Sequence, residues 1–246
     1  MTQYGFFFDE SRCYDCRACS MACTSWNGRE PGEPKLLRRF TWEEGTFPAV
    51  AMHSLFAPCY HCENPACVPA CPNGAIVKED KYGAVLVDEE LCTGCGTCWN
   101  ACPFGAPQYK EKEGHKVMSK CTMCVERLEA GKMPNCVTAC QTRALDFGPI
   151  DELIAKYGEL RALDAMPDDR GTKPSIVFKP VAPKVKVVPY DDDYARKLFS
   201  TSQDGTVWYE EGKVGCDGDG AILKNKLDMK ATDPAKAAEA MRSDEF

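Results

Sequence analysis

Apolar positions in this chain come in short runs of differing period. Near the N-terminus, Gly5-Phe6-Phe7-Phe8 forms a compact apolar block. Two strand-like stretches, Leu36 to Trp42 and Ala49 to Phe56, flank a Glu43-Glu44-Gly45 turn, which predicts a hairpin inside residues 24–58. A second hairpin is expected where Gly74-Ala75-Ile76-Val77 faces Ala84-Val85-Leu86-Val87-Asp88 across the polar turn Lys78 to Gly83. Ile150, Leu153, Ile154 and Tyr157 recur at helical spacing and predict a packed amphipathic helix over Ile150 to Leu163. Beyond residue 180, Pro180, Pro183 and Pro189 interrupt a Val/Lys-rich stretch, so an extended arm replaces any central strand. A final helix is expected from Asp233 as N-cap, with Pro234 at its first position. This alternation of short strands and helices is an α+β pattern. The longest apolar runs, including Val50 to Pro58, fall far short of the ~20 residues that span a bilayer, so no membrane span of its own is expected.

Composition narrows the function classes. The 246 residues are 44% hydrophobic and 27% charged, which excludes disordered and collagen-like chains and allows one large or two modest domains. A net charge of −7 argues against nucleic acid, because displacing counterions from phosphates needs a basic footprint. No basic segment followed by an apolar one precedes Cys13, so no cleavable secretory signal is expected. What stands out is 17 cysteines.

Sixteen of them form four groups. Cys13, Cys16, Cys19 and Cys23 are spaced C-x2-C-x2-C-x3-C, and Cys92, Cys95, Cys98 and Cys102 repeat that spacing. Cys59, Cys62, Cys67 and Cys71 follow C-x2-C-x4-C-x3-C, while Cys121, Cys124, Cys136 and Cys140 carry an 11-residue insertion after the second cysteine. Three chemistries compete. A disulfide framework suits small secreted domains rather than a chain of this size. Structural zinc takes four thiolates, normally as two C-x2-C pairs joined by a longer loop. The run C-x2-C-x2-C-x3-C-P is the bacterial ferredoxin pattern, whose fourth cysteine ligates the other cluster of a pair. The spacing favours iron–sulfur, with zinc as the distant alternative.

Steric logic then pairs the groups. Three thiolates in one tight loop reach three corners of a cubane; the fourth corner needs a ligand from elsewhere. The fourth cysteine is expected to start a short helix, with Pro72 and Pro103 in its first turn. Groups two and three lie close in sequence, giving Cys59, Cys62, Cys67 with Cys102, and Cys92, Cys95, Cys98 with Cys71. Groups one and four then nest around them, giving Cys13, Cys16, Cys19 with Cys140, and Cys121, Cys124, Cys136 with Cys23. Four [4Fe-4S] clusters follow, in two interleaved bacterial-type 2[4Fe-4S] ferredoxin-like units. Residues 1–58 and 103–180 make the outer unit, 59–102 the inner one, and 181–246 the extended C-terminal arm. These sixteen cysteines are the expected iron ligands. Cys216, remote from the rest, is read as a free thiol. Sixteen thiolates fill sixteen corners and leave no open iron for substrate, which favours electron transfer over catalysis.

The chain resembles the four-cluster iron–sulfur subunits of the molybdopterin oxidoreductases, most of all those of the dimethyl sulfoxide reductase type. The resemblance is carried by Gln3-Tyr4-Gly5-Phe6-Phe7, Val87-Asp88-Glu89 before Cys92, and Ala101-Cys102-Pro103-Phe104-Gly105-Ala106-Pro107-Gln108-Tyr109. It continues through Arg143 to Leu153 and Thr172 to Val177, and covers residues 1 to about 180. It implies a non-catalytic electron-transfer subunit between a large molybdopterin subunit (Mo or W) and a quinol-linked membrane anchor. The outer unit would face the catalytic partner and the inner unit the membrane side. It implies a place at the cytoplasmic membrane within a complex, either cytoplasmic or exported folded with a signal-bearing partner. Similar wiring serves polysulfide, thiosulfate and arsenate reductases, formate dehydrogenases and aromatic dehydroxylases. Some relatives have tryptophan and a three-iron cluster where Cys98 stands, so a four-iron cluster is expected here. Thr24 and Gln141 depart from the proline that ferredoxins place after the fourth cysteine.

A few residues carry two readings each. The 24–58 hairpin either covers the clusters or contacts a partner through Trp26 and Trp42. His61, between Cys59 and Cys62, is either a hydrogen-bond donor to cluster sulfur or a loop histidine without a redox role. Asp217-Gly218-Asp219-Gly220 looks faintly like a calcium loop but lacks the remaining ligands.

Overall fold

The computed structural model describes residues 2–44, 50–112 and 114–181. Their elements run β1 (Tyr4–Asp9), α1 (Ala18–Trp26), β2 (Arg38–Glu44), β3 (Ala51–Ala57), β4 (Ile76–Lys78), β5 (Val85–Val87) and α2 (Thr97–Ala101). They continue through β6 (Gln108–Lys112), β7 (His115–Ser119), α3 (Val125–Glu129), α4 (Asn135–Thr138), β8 (Leu145–Pro149), α5 (Ile150–Tyr157) and β9 (Ile176–Lys179). The α+β expectation holds. The arm, Cys216, the calcium-like loop and the Asp233 helix lie outside the described residues.

The phenylalanine block forms the middle strand of a three-stranded sheet, order β8-β1-β9, antiparallel to β8 and parallel to β9. Successive side chains of a strand point to opposite faces. Phe6 and Phe8 therefore enter the main core against Phe56, Phe147 and Phe178. Phe7 faces the other way, stacked on Tyr157 at 3.6 Å between centroids, and joins Ile150, Leu153 and Val177. Each fully buried phenylalanine contributes about 1.5–3 kcal/mol relative to exposure. Both faces of β1 are covered, so the strand reads as a continuous apolar run instead of an alternation.

Gly5 permits this sheet to close. A Cβ there would lie 2.4 Å from the Ser175 carbonyl oxygen and 2.7 Å from Ile150 Cδ1. The carbonyl belongs to the backbone that accepts from Phe6 N–H, so it cannot swing aside. Gly5→Ala is expected to cost about 1–3 kcal/mol as overpacking, read as a lower denaturation midpoint of the holoprotein; an unchanged midpoint would mean the sheet can open there.

The two predicted hairpins form as β2-β3 and β4-β5. The first runs Arg38–Glu44 against Ala51–Ala57, two residues later than the predicted start; Glu43 and Glu44 of the expected turn belong to β2, and Gly45 lies outside the described residues. Buried Glu10 fastens it to the sheet: its Oε1 meets His53 Nδ1 at 3.0 Å and accepts from Ser54 N, while Oε2 accepts from Val181 N. A third hairpin, β6-β7, carries no clear alternation in the sequence. The helix expected to reach Leu163 stops at Tyr157, because Gly158 takes φ +99° and breaks the turn. Leu163 is still buried, from a loop. Among the described residues no helix is long and apolar enough to cross a membrane.

Candidate metal centres

All four cysteine loops share one backbone device. The residue just before the second cysteine is left-handed in each: Asp15 (φ 55°), His61 (44°), Gly94 (66°) and Met123 (59°). This tight reversal folds the first two thiols towards one another. It is strained for any residue but glycine, so neighbouring contacts must hold it. Gly94 is also required for space, since a Cβ would meet the Lys116 carbonyl oxygen at 2.3 Å. A second left-handed residue, Arg17 or Gly96, then caps α1 or α2, and Cys124 itself caps α3.

Helices begin at the third cysteine, not the fourth, which corrects the sequence expectation. Cys19, Cys98 and Cys136 are each the second residue of α1, α2 and α4. Cys102 is the C-cap of α2, Cys140 stands just past α4, Cys23 lies within α1, and Cys71 sits in a turn. The physical reason is the C-x3-C spacing: positions i and i+4 share a helix face, one turn apart. Pro103 accordingly follows a helix end, where it cannot continue the helix.

The structure exposes a further repeat that the cysteine spacing hides. Three residues after the fourth cysteine, Gly74, Gly105 and Arg143 are all left-handed, and each precedes a buried alanine: Ala75, Ala106, Ala144. Ala106 N–H donates to Cys102 Sγ at 3.5 Å and Ala144 N–H to Cys140 Sγ at 3.2 Å. Aligning the groups on Cys71, Cys102 and Cys140 makes this signal visible as Cys-x2-Gly/Arg-Ala.

Side-chain proximity links thiols from different groups. Cys71 lines one small cavity with Cys92, Cys95 and Cys98, and Cys23 lines another with Cys121, Cys124 and Cys136. Burial pushes the Cys19 thiol up to about 11, with Cys13 and Cys140 adding to it. The Tyr14 phenol is pushed up first by its hydrogen bond to Cys16, then by burial, with Cys140 and Cys13 also acting on it. Burial pushes Cys62 far up, helped by Cys59, Cys102 and Cys67. Adjacent sets also touch through their fields: Cys136 feels Cys19, Cys121 feels Cys59, and Cys67, raised by burial to about 12, feels Cys98. Only Cys16 and Cys95 are exposed among the described cysteines. Among the described residues no three His, Cys, Asp or Glu side chains converge tightly enough for a single metal ion. A cubane keeps its thiolates further apart, around four irons and four sulfides.

Donors converge on the sulfurs. Met118 N–H reaches Cys92 Sγ at 3.3 Å, Met123 N–H reaches Cys121 Sγ at 3.4 Å, and the Tyr109 hydroxyl lies 3.4 Å from Cys98 Sγ. Buried cations stand near by. Arg39 Nη2 donates to Cys13 Sγ at 2.8 Å, and Arg38 Nη2 donates to the Phe104 carbonyl at 2.7 Å beside Cys102 and Cys59. Lys120 Nζ donates to the carbonyls of Val85 and Cys121. His61 is fully buried within its loop. Its Nδ1 accepts from Val85 N–H at 2.9 Å, which leaves the proton on Nε2, and burial holds the ring neutral. Among the described residues Nε2 finds no hydrogen-bond partner. Trp26 is 45% exposed, with Arg127 over its ring. Trp42 is buried and stacked on His53, which removes it as a partner anchor.

Residues 50–150 match a family model described as a 4Fe-4S dicluster domain. The chain is 46% identical over 189 residues to an anaerobic dimethyl sulfoxide reductase chain of Escherichia coli K12, covering 74% of this protein and 90% of that one. The protein belongs to the family of dimethyl sulfoxide reductase iron–sulfur subunits. A sulfite dehydrogenase subunit of Allochromatium vinosum is 36% identical over 73% of this chain and 84% of its own. Protein NrfC of Escherichia coli K12 is likewise 36% identical, over 72% and 81%. The family consists of iron–sulfur electron-transfer subunits, not catalytic ones, and its cofactors are [4Fe-4S] clusters.

Proposed function

We propose that this chain holds four [4Fe-4S] clusters in a row, one per thiol set, and passes electrons between a molybdopterin catalytic subunit and a quinol-linked membrane anchor. Each cluster, when bound, supplies a one-electron carrier. The ligand sets are those expected from the spacing: Cys13, Cys16, Cys19 and Cys140; Cys121, Cys124, Cys136 and Cys23; Cys59, Cys62, Cys67 and Cys102; and Cys92, Cys95, Cys98 and Cys71. The observation that carries this reading is the sharing of cavities by thiols from different groups: Cys71 with Cys92, Cys95 and Cys98, and Cys23 with Cys121, Cys124 and Cys136.

The donor chemistry fits. Soft thiolates alone surround each site, backbone amides aim at their sulfurs, and the unpartnered Nε2–H of His61 suits a sulfide acceptor beside Cys62. Buried thiols are held protonated without iron, so cluster assembly must release protons. Cys16 and Cys95 place one exposed thiol at each end of the row, giving two ports for partners. On this reading residues 1–58 and 103–180 form the outer ferredoxin-like unit, facing the catalytic chain. Residues 59–102 form the inner one, facing the anchor. The complex sits at the cytoplasmic membrane with this chain peripheral to it. Dimethyl sulfoxide or a related S- or N-oxide is the substrate class supported by the 40–46% identities to dimethyl sulfoxide reductase chains.

Iron and acid-labile sulfide analysis of anaerobically purified protein tests the reading. About four clusters' worth of each is expected, with EPR signals from the reduced protein and a large molybdopterin chain copurifying. Zinc in place of iron, or two clusters only, would overturn it.

A further inference from the structure

Arg39 lies on β2 of the hairpin, where its side chain is only 4% exposed, and it points at a cysteine instead of solvent. Its Nη2 donates to Cys13 Sγ at 2.8 Å while its Nε donates to Asp15 Oδ1 at 3.0 Å. Asp15 is itself held: Thr41 Oγ1 donates to its Oδ2 at 2.7 Å, and Arg17 Nε lies 3.3 Å from the same oxygen. Phe8 covers the guanidinium, with Cζ 5.3 Å from the ring centroid. A guanidinium keeps its charge at any working pH, and a charge-assisted bond to sulfur in a water-poor site is stronger than a neutral one. The fork is fixed by two partners, so little reorganisation follows when the charge on the sulfur changes.

We infer that Arg39 sets the redox potential of the terminal Cys13, Cys16, Cys19, Cys140 site, raising it, while Asp15 holds the guanidinium in place and offsets part of its charge. The inference rests on the proposed cluster at that site. One electron enters there on reduction, one negative charge is added, and no proton is taken up by Arg39. The cation beside Cys13 stabilises the more negative state. An electron on the row is thereby drawn towards the end where Cys16 meets solvent.

The two side chains make opposite predictions, which a merely structural role would not. In full-length protein purified anaerobically with its partner chains, EPR-monitored titration with dithionite gives a midpoint for each signal. The signal of this site is identified by its disturbance in Cys16→Ser. Arg39→Gln should shift that signal alone to more negative potential, by at least a tenfold change in the reduced-to-oxidised ratio, which is about 59 mV for one electron. Arg39→Lys should recover part of the shift, and Asp15→Asn should move the same signal the other way. Four signals with unchanged midpoints in Arg39→Gln, or one shift shared by all four, would overturn the inference and leave the four-cluster reading standing. If the glutamine variant fails to assemble this cluster, Asp15→Asn decides: no positive shift overturns it. Wild-type protein without the four clusters would instead defeat the reading on which it rests.

Discussion

Cys102→Ser is expected to disturb the cluster of Cys59, Cys62 and Cys67, and to spare that of Cys92, Cys95 and Cys98, its own neighbours in sequence. Cys98 and Cys102 stand at opposite ends of the one-turn helix α2, so one turn of backbone separates two sites. The half-buried Cys102 thiol lies beside Arg38 and within the field of Cys59, and it accepts from Ala106 N–H at 3.5 Å. The cavity of the Cys92 set is completed by Cys71 and does not include Cys102. Serine keeps the size but offers a harder, more basic oxygen to iron. One of four reduced signals should therefore be lost or converted, with iron falling by up to a quarter. A cluster missing from mid-row should bring quinol-driven turnover of the complex down by orders of magnitude. Turnover with a small chemical reductant given directly to the catalytic chain should persist. Cys71→Ser should do the converse, striking the Cys92 set. If Cys102→Ser altered the Cys92 signal instead, each group would be ligating its own cluster and the exchange would be wrong.

The proposed exchange is legible in the sequence because ligand spacing is a local property. In groups one and three, three thiols within seven residues admit few geometries, and the fourth has to leave. The sheet that carries the loops is not legible in the same way. Phe6, Phe7 and Phe8 are apolar in succession because both faces of β1 are covered, which erases the period of two. Its partners β8 and β9 come from over 130 residues further along the chain, a pairing no local pattern encodes. The misplaced helix start at the fourth cysteine comes from reading ferredoxin prolines as helix starters, when Pro103 marks a stop. Trp42 reads as an anchor, and nothing in the sequence singles out Arg38 or Arg39, for one reason. Hairpin position tells which residues share a face, but not what covers that face. Here thiols and phenylalanines lie against both faces, turning Arg38 on one and Arg39 on the other into buried cations.

Withdrawing the iron is expected to unfold the described core, not merely to bleach it. The main buried cluster mixes Cys19, Cys59, Cys121, Cys136 and Cys140 with Phe6, Phe8, Phe56, Tyr60, Phe104 and Phe178, so the thiols are part of the packing. Local elements cannot stand in for them. Strands β4 and β5 have three residues each, α2 and α3 five, and α4 four, all far below the lengths that persist alone in water. Segments from residue 13 to residue 140 meet at the proposed sites, and each cluster would close a long loop of chain. A structural metal site contributes on the order of 10 kcal/mol, comparable to the whole 5–15 kcal/mol stability of an ordinary domain. Losing four such sites leaves no reserve. The apoprotein would also bring a row of left-handed residues, Asp15, His61, Met123 and Arg143, into conformations with nothing to hold them. Oxidation with ferricyanide in the presence of a chelator should therefore collapse far-UV circular dichroism and open the chain to protease, with both changes tracking iron loss. Anaerobic iron and sulfide should restore the fold. An apoprotein that kept the native spectrum and a cooperative thermal transition would show that the aromatic core suffices, and that the clusters are guests of the fold instead of its frame.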